Sequence, residues 1–146
     1  MMMGLTFNFS LAAMMPGIIL VVSLAALLQF FISYCRSLIA ASVKQPISAD
    51  VRDVTGIART ASGEDFERVI QLLRLCPAHP HDRSEIRAIA TYFRLLGFLR
   101  VSAGKLMPSL VSWTETERGQ CAYFAAVALE RRIAFSRDML AEQMHT

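Results

Sequence analysis

The residues of this chain best suited to metal binding or catalysis lie in one short segment. This segment contains Cys76, His79, His81 and Asp82. Thiolate, imidazole and carboxylate groups all ligate zinc, and a connection between two helices can present them together. Structural zinc sites, however, usually join two ligand pairs at a distance, and no second pair follows this segment. The favoured interpretation is a solvated connection in which Cys76 is a small core hydrophobe, with a metal or redox site as the alternative.

A catalytic site needs more than this segment supplies. A nucleophilic cysteine requires a general base held in place by a third group, and Cys76 and His79 have no such orienting partner in the sequence. Glu115 and Glu117 are explained as capping residues at a predicted helix start. No glycine-rich phosphate loop or haem-attachment motif is present. The sequence therefore predicts a protein that is not an enzyme, predicts no cofactor and identifies no small-molecule substrate.

Three arginines, Arg83, Arg87 and Arg94, fall near one stripe of a predicted helix. Such a stripe suits contact with lipid headgroups or with an acidic partner. The favoured interpretation is a solvated helix face whose charge is partly balanced by Glu85. Nucleic acid is not an expected partner, because the net charge of +3 is small and no nucleic-acid-binding motif is present.

Two helices are predicted on either side of the segment that contains Cys76. The first begins after Ser62, which forms a capping box with Asp65, and it has one apolar face. The second begins at Asp82 and continues to about Ser102, again with apolar residues at helical spacing. The segment with the potential ligands is therefore expected to connect two amphipathic helices.

The last predicted helix begins at Thr114, which has capping-box spacing to Glu117, and continues for about 28 residues, a length of about 42 Å. Before it, residues 106–113 are expected to form a short separate segment that Pro108 interrupts. Residues 121–129 are apolar on every side of this helix but are too few to cross a bilayer. We therefore expect a buried central helix with the shorter helices around it.

The first third of the chain has a different character, because no charged residue precedes Arg36 and residues 11–34 are almost entirely apolar. In a helix, about 24 residues are about 36 Å long, which is enough to cross a hydrocarbon core of about 30 Å. These residues are predicted to form a transmembrane helix that is retained, since the N-terminus lacks the basic residues of a signal peptide. The helix is expected to continue beyond the membrane to Val43, before Pro46.

The orientation of the predicted span follows from the basic residues Arg36, Lys44, Arg52 and Arg59, which all come after it. The N-terminus is expected outside and the C-terminal domain in the cytoplasm, with Arg36 and Lys44 as further candidates for contact with lipid or an acidic partner. Arginine outnumbers lysine in this chain, and GC-rich genomes tend to encode such an excess of arginine. We therefore expect a bacterial source and a location in the inner (cytoplasmic) membrane.

Three residues of the apolar segment are candidates for contact with a neighbouring helix. Ala13 and Gly17 form a small-xxx-small pair, which allows close helix approach. Gln29 places an amide where hydrocarbon offers no hydrogen-bond partner. It is expected to bond to another helix, or else to extend toward the interface or bond to its own backbone. The expected partners are therefore other transmembrane subunits and the bilayer itself.

The predicted fold class is all-α, with a single N-terminal transmembrane helix followed by a small irregular helical bundle. The predicted organisation is an N-terminal tail and transmembrane helix over residues 1–44, a juxtamembrane connector over 45–61 and a cytoplasmic helical domain over 62–146. The leading functional hypothesis is a non-catalytic accessory or structural subunit of a larger inner-membrane complex. The alternatives are a membrane-tethered adaptor or regulator that binds a soluble partner, and a metal or redox protein that uses residues 76–82.

Overall fold

The computed structural model describes residues 4–57, 62–77, 82–103 and 107–144, with side chains in the first helix from Met14 onwards. Within these ranges the chain forms five α-helices and no β-strand, so the predicted all-α fold is confirmed. The helices are α1 (Gly4–Val43), α2 (Ala49–Thr55), α3 (Gly63–Leu75), α4 (Asp82–Ala103) and α5 (Pro108–Met144).

The chain divides into two compact units, Met1–Tyr34 and Cys35–Thr146. The second unit contains the last turns of α1, in which Cys35, Ile39 and Ser42 are buried at helical spacing along one face. The prediction that the first helix continues to Val43 is therefore confirmed, and these last turns belong to the core of the helical domain.

The helical domain is organised around α5, against which α2, α3 and α4 all pack. Nearly every side chain between residues 121 and 129 is buried, including the voluminous Phe124 and Leu129. The alanines among them allow the neighbouring helices to approach closely. The predicted buried central helix is thereby confirmed.

The predicted start of this helix at Thr114 is wrong, because α5 begins six residues earlier at Pro108. Proline fits the first position of a helix, where its missing N–H would have no intrahelical partner. Thr114 is completely buried, and its hydroxyl donates to the carbonyl of Val111 at 2.9 Å instead of capping a helix end. The Thr114 to Glu117 spacing is therefore a coincidence within one continuous helix.

The starts of α3 and α4 agree with the predictions. The N–H of Ser62 donates to Asp65 Oδ2 at 2.9 Å, and the Ser62 side chain accepts from the backbone of Asp65, which completes the capping box. Helix α4 begins at Asp82 as expected. Local sequence signals were thus sufficient to predict where the two amphipathic helices that flank Cys76 begin.

Candidate functional site

A groove of about 430 Å³ lies between α3 and α4 and is lined mainly by arginines and apolar side chains. We call it the arginine groove. Its basic lining residues are Arg74 of α3, Arg83, Arg87 and Arg94 of α4, and Arg132 of α5. Between them the wall is apolar, with Ile70 and Leu73 on one side and Ile86 and Ala90 on the other. The groove therefore combines a high density of positive charge with an apolar surface.

The three arginines that the sequence places on one stripe of α4 are all exposed, and they do lie together along one wall of this groove. The opposite wall contributes Arg74, which sequence reasoning missed. Arg74 is on the polar face of α3, where a charged residue is unremarkable. Only the packing of α3 and α4 on the same helix brings Arg74 to the other arginines.

Four of these arginines have no carboxylate partner within the described ranges: Arg74, Arg83, Arg87 and Arg94. Most other arginines of the described chain are paired with Asp or Glu: Arg36, Arg100, Arg131, Arg132 and Arg137. Apart from Arg132, which pairs with Asp82, the arginines of the groove therefore present unpaired positive charge, which favours binding of an anionic group there.

A second cavity of about 350 Å³ adjoins the groove. The two share Ile70, Arg74, Ala90 and Arg94. The guanidinium carbon of Arg118 lies 4.4 Å from the centre of the Phe93 ring, and Phe93 in turn stacks on Phe66 at 4.2 Å. Glu67 is the one carboxylate in the lining of this cavity. The second cavity therefore extends the basic and apolar lining along α3 and α4.

The potential metal ligands are only partly within the described chain. His79 and His81 lie outside the described residues, and Cys76 is half-buried at the end of α3. Asp82 is buried, with its carboxylate 3.5 Å from Arg132 Nε and 3.7 Å from Arg131 Nη1. Among the described residues, no three His, Cys, Asp or Glu side chains are grouped as metal ligands would be. Asp82 thus has an ion-pair role that its predicted position at the start of α4 did not reveal.

The interpretation of Glu117 as a capping residue is wrong, because the structure places its side chain in the core. The Tyr92 hydroxyl donates to Glu117 Oε2 at 3.1 Å, and Arg36 Nε lies 3.3 Å from Glu117 Oε1. Glu115, two residues earlier, pairs with Arg100 on the surface at 2.6 Å. Arg36, predicted to contact lipid or an acidic partner, therefore already has an acidic partner inside the domain.

The same buried cluster keeps a cysteine protonated. Burial, reinforced by the negative charge of Glu117, raises the pKa of the Cys121 thiol to about 12. Burial and Glu117 also raise the pKa of Tyr92 above its ordinary value. Because the thiolate is the reactive form, Cys121 is a poor nucleophile near neutral pH.

Helix α1 contains the apolar segment Met14–Val43, in which the most apolar window of 18 residues has a mean hydropathy of 2.4 and is 6% buried. By length and composition it is able to cross a membrane, and it is the one such helix in the described part of the chain. Nearly all of its side chains as far as Phe30 are exposed, as in Leu20 at 65% and Phe30 at 74%. The described part of the chain therefore leaves a long apolar surface of α1 uncovered.

The residues predicted for helix contact do not share one face of α1. Gly17 and Gln29 are both exposed, and a Cβ at Gly17 would meet no atom within 4 Å. Twelve residues at about 100° each place them roughly 120° apart around the helix. The side chain of Ala13 lies outside the described residues. A single straight neighbouring helix is therefore not expected to contact both Gly17 and Gln29.

Gln29 instead shares a stripe with Ala25 and Ser33, at four-residue spacing on either side. All three residues are exposed, and the Gln29 amide has no hydrogen-bond partner among the described residues. The small-xxx-small pattern does not predict this stripe, because glutamine lies between its two small residues. Lys44, the other basic residue predicted to contact lipid or an acidic partner, is exposed, and Arg59, used for the predicted orientation, lies outside the described residues.

Fold and site together define an all-α domain with an arginine-lined groove, preceded by a helix long and apolar enough to cross a membrane. Comparison of the chain with protein-family models, with curated proteins and with solved structures found no match. Function is therefore inferred from the residues and contacts described above.

Proposed function

We propose that this chain is a non-catalytic accessory subunit of a larger protein complex in a bacterial inner membrane. In this proposal α1 crosses the bilayer with its N-terminus outside, and the helical domain lies in the cytoplasm. The observation that carries the proposal is the long apolar surface of α1, whose most apolar window of 18 residues is only 6% buried. Burial of such a surface in hydrocarbon and against other helices is strongly favourable.

The stripe formed by Ala25, Gln29 and Ser33 is the face of α1 that best suits a neighbouring transmembrane helix. Small residues at positions 25 and 33 allow the backbones to approach, and the amide between them has no partner among the described residues. In lipid, an unsatisfied amide costs free energy that a hydrogen bond across the helix interface recovers. The exposed Gln29 amide between two small residues therefore supports a role within an assembly.

Replacement of Gln29 by leucine is expected to weaken the complex. The full-length chain would be extracted from its native membrane in mild detergent, and the co-purifying subunits would be measured by native mass spectrometry. Loss of one interhelical hydrogen bond, about 0.5–2 kcal/mol, should lower complex recovery about two- to thirtyfold. The Ser23→Leu variant, which removes a polar group from a different face of α1, serves as the matched control and should leave recovery unchanged.

A stable lone monomer in this experiment would contradict the proposal. A membrane-tethered adaptor, favoured by the unpaired arginines of the groove, is the second candidate and gives a different result. Its partner should remain bound to a chain that begins at Cys35, because Cys35–Thr146 is a compact unit. An accessory subunit held by α1 should lose its transmembrane partners in that chain.

The proposed orientation is tested by the three cysteines of the chain. Cys35 and Cys121 are fully buried, whereas Cys76 is only half-buried. A membrane-impermeant maleimide is therefore expected to label Cys76 in inverted inner-membrane vesicles and not in intact spheroplasts. The Cys76→Ser variant should remove the signal. Labelling of Cys76 from the outside of spheroplasts would reverse the orientation.

A further inference from the structure

We infer that the arginine groove binds an acidic amphipathic helix of a partner protein. This inference deepens the proposed function and rests on it, because it names the chemistry of a partner on the domain side of the chain. It is carried by the charge of the groove, by its apolar wall and by the spacing of its arginines.

The charge of the groove is available to a ligand. Arg83, Arg87 and Arg94 are exposed on one wall and Arg74 on the other, and none of the four is paired with a carboxylate in the described part of the chain. Carboxylates bind arginine through two parallel hydrogen bonds, an interaction stronger than one between neutral groups. Acidic side chains therefore suit both walls of the groove.

The apolar wall requires a ligand that also has an apolar face. Ile70 and Ile86 are half-buried and line the groove between the arginines, together with Ala90. A simple inorganic anion would leave these side chains in water. A helix with one apolar and one acidic face would cover them while its carboxylates reach the arginines.

The spacing of the arginines fits a helix better than a single anionic group. Arg83, Arg87 and Arg94 are four and seven residues apart on one face of α4, so they extend over roughly 16 Å. One phosphate contacts only a small part of that length. A helix that lies along the groove, with acidic residues at the same intervals of four and seven, would match every arginine of this wall.

A bilayer surface is a weaker match than a helix. The apolar lining is recessed between two helices, within a groove of about 430 Å³, whereas the headgroup region of a bilayer is broad and flat. Arginines on an exposed wall could meet anionic headgroups, but the apolar lining beneath them would remain in contact with water. The experiment must therefore distinguish a lipid bound in the groove from a helix bound there.

The test places a photo-reactive amino acid at position 90 of the full-length chain, inside the groove, and irradiates native membranes. The cross-linked product is identified by mass spectrometry. We expect a partner peptide with Asp or Glu at helical spacing of four and seven residues. A chain with the photo-reactive group at Asp53, an exposed residue of α2, is the control for contacts made anywhere on the surface.

The charge of the groove is tested with the triple variant Arg83→Glu, Arg87→Glu and Arg94→Glu, which should reduce the adduct at least tenfold. The control is Arg52→Glu with Arg68→Glu, since both arginines are exposed and neither lines the groove. Circular dichroism and melting of each variant in detergent verify that the fold is retained.

Several results would overturn the inference: no adduct at position 90, an adduct with lipid alone, a peptide without acidic residues, or an adduct that the triple variant leaves unchanged. These failures are distinct from failure of the proposed function. If other subunits still co-purify through α1 while no acidic peptide is found in the groove, the accessory role stands and only the groove inference falls.

Discussion

Replacement of Arg132 by methionine is expected to lower the free energy of unfolding by about 3 kcal/mol. The Arg132 side chain is 7% exposed, and its Nη1 donates to the carbonyl of Leu73 at 2.6 Å, at the end of α3. Its Nε lies 3.5 Å from the carboxylate of Asp82, which is 4% exposed. Methionine preserves much of the apolar stem but leaves a buried carbonyl without its donor and a buried carboxylate with a weaker partner.

The expected loss is at the lower end for a broken buried ion pair because Arg131 remains 3.7 Å from Asp82. Thermal or denaturant unfolding of the full-length protein in detergent micelles would measure it. The matched control is Arg137→Met on the same helix, whose pair with Asp50 is exposed on both sides and should change stability by less than about 0.5 kcal/mol. Equal losses in the two variants would mean that burial of the Arg132 pair is irrelevant to stability.

Replacement of Glu117 by alanine should destabilise the domain by about 2–3 kcal/mol. The Glu117 side chain is 5% exposed, and it accepts a hydrogen bond from the fully buried Tyr92 at 3.1 Å. Its loss leaves the tyrosine hydroxyl without a partner, which accounts for most of the effect. Arg36 contributes less, because its side chain is 59% exposed and can be solvated by water.

Two companion variants make this prediction specific. Glu117→Gln keeps a hydrogen-bond acceptor for Tyr92 and should retain about half of the lost stability. Glu115→Ala removes a carboxylate two residues away, from the half-exposed pair with Arg100, and should cost less than about 1 kcal/mol. If glutamine at position 117 were as harmful as alanine, the negative charge and not the hydrogen bond to Tyr92 would be the stabilising feature.

The parts of the fold that the sequence predicted correctly depend on neighbouring residues. The capping box of Ser62 and Asp65 and the helical period that follows it lie within one segment, so the start and apolar face of α3 were predicted. The extent of α1 as far as Val43 was likewise predicted from residues within the helix and just after it. The buried centre of α5 was predicted because residues 121–129 have no polar face to turn outward.

The errors arise where distant residues decide the outcome. A Thr and a Glu three residues apart occur at helix starts and also inside helices, and only packing distinguishes the two cases. Here Glu117 is buried by a bond to Tyr92, which is 25 residues away in the sequence. The arginine groove likewise depends on residues from α3, α4 and α5. The Arg132 bond to Leu73 spans 59 residues, a separation at which composition and periodicity carry no information.

The central position of α5 has a consequence for biosynthesis. Helices α2, α3 and α4 leave the ribosome before the helix on which all three pack. Their apolar faces therefore remain unburied until α5 has emerged, and the domain completes its folding only then. Throughout that interval the newly made segments depend on chaperones or on rapid elongation to avoid aggregation. A premature stop before residue 121 would consequently remove the buried residues 121–129 from the core, a far larger effect than the length of the missing segment suggests.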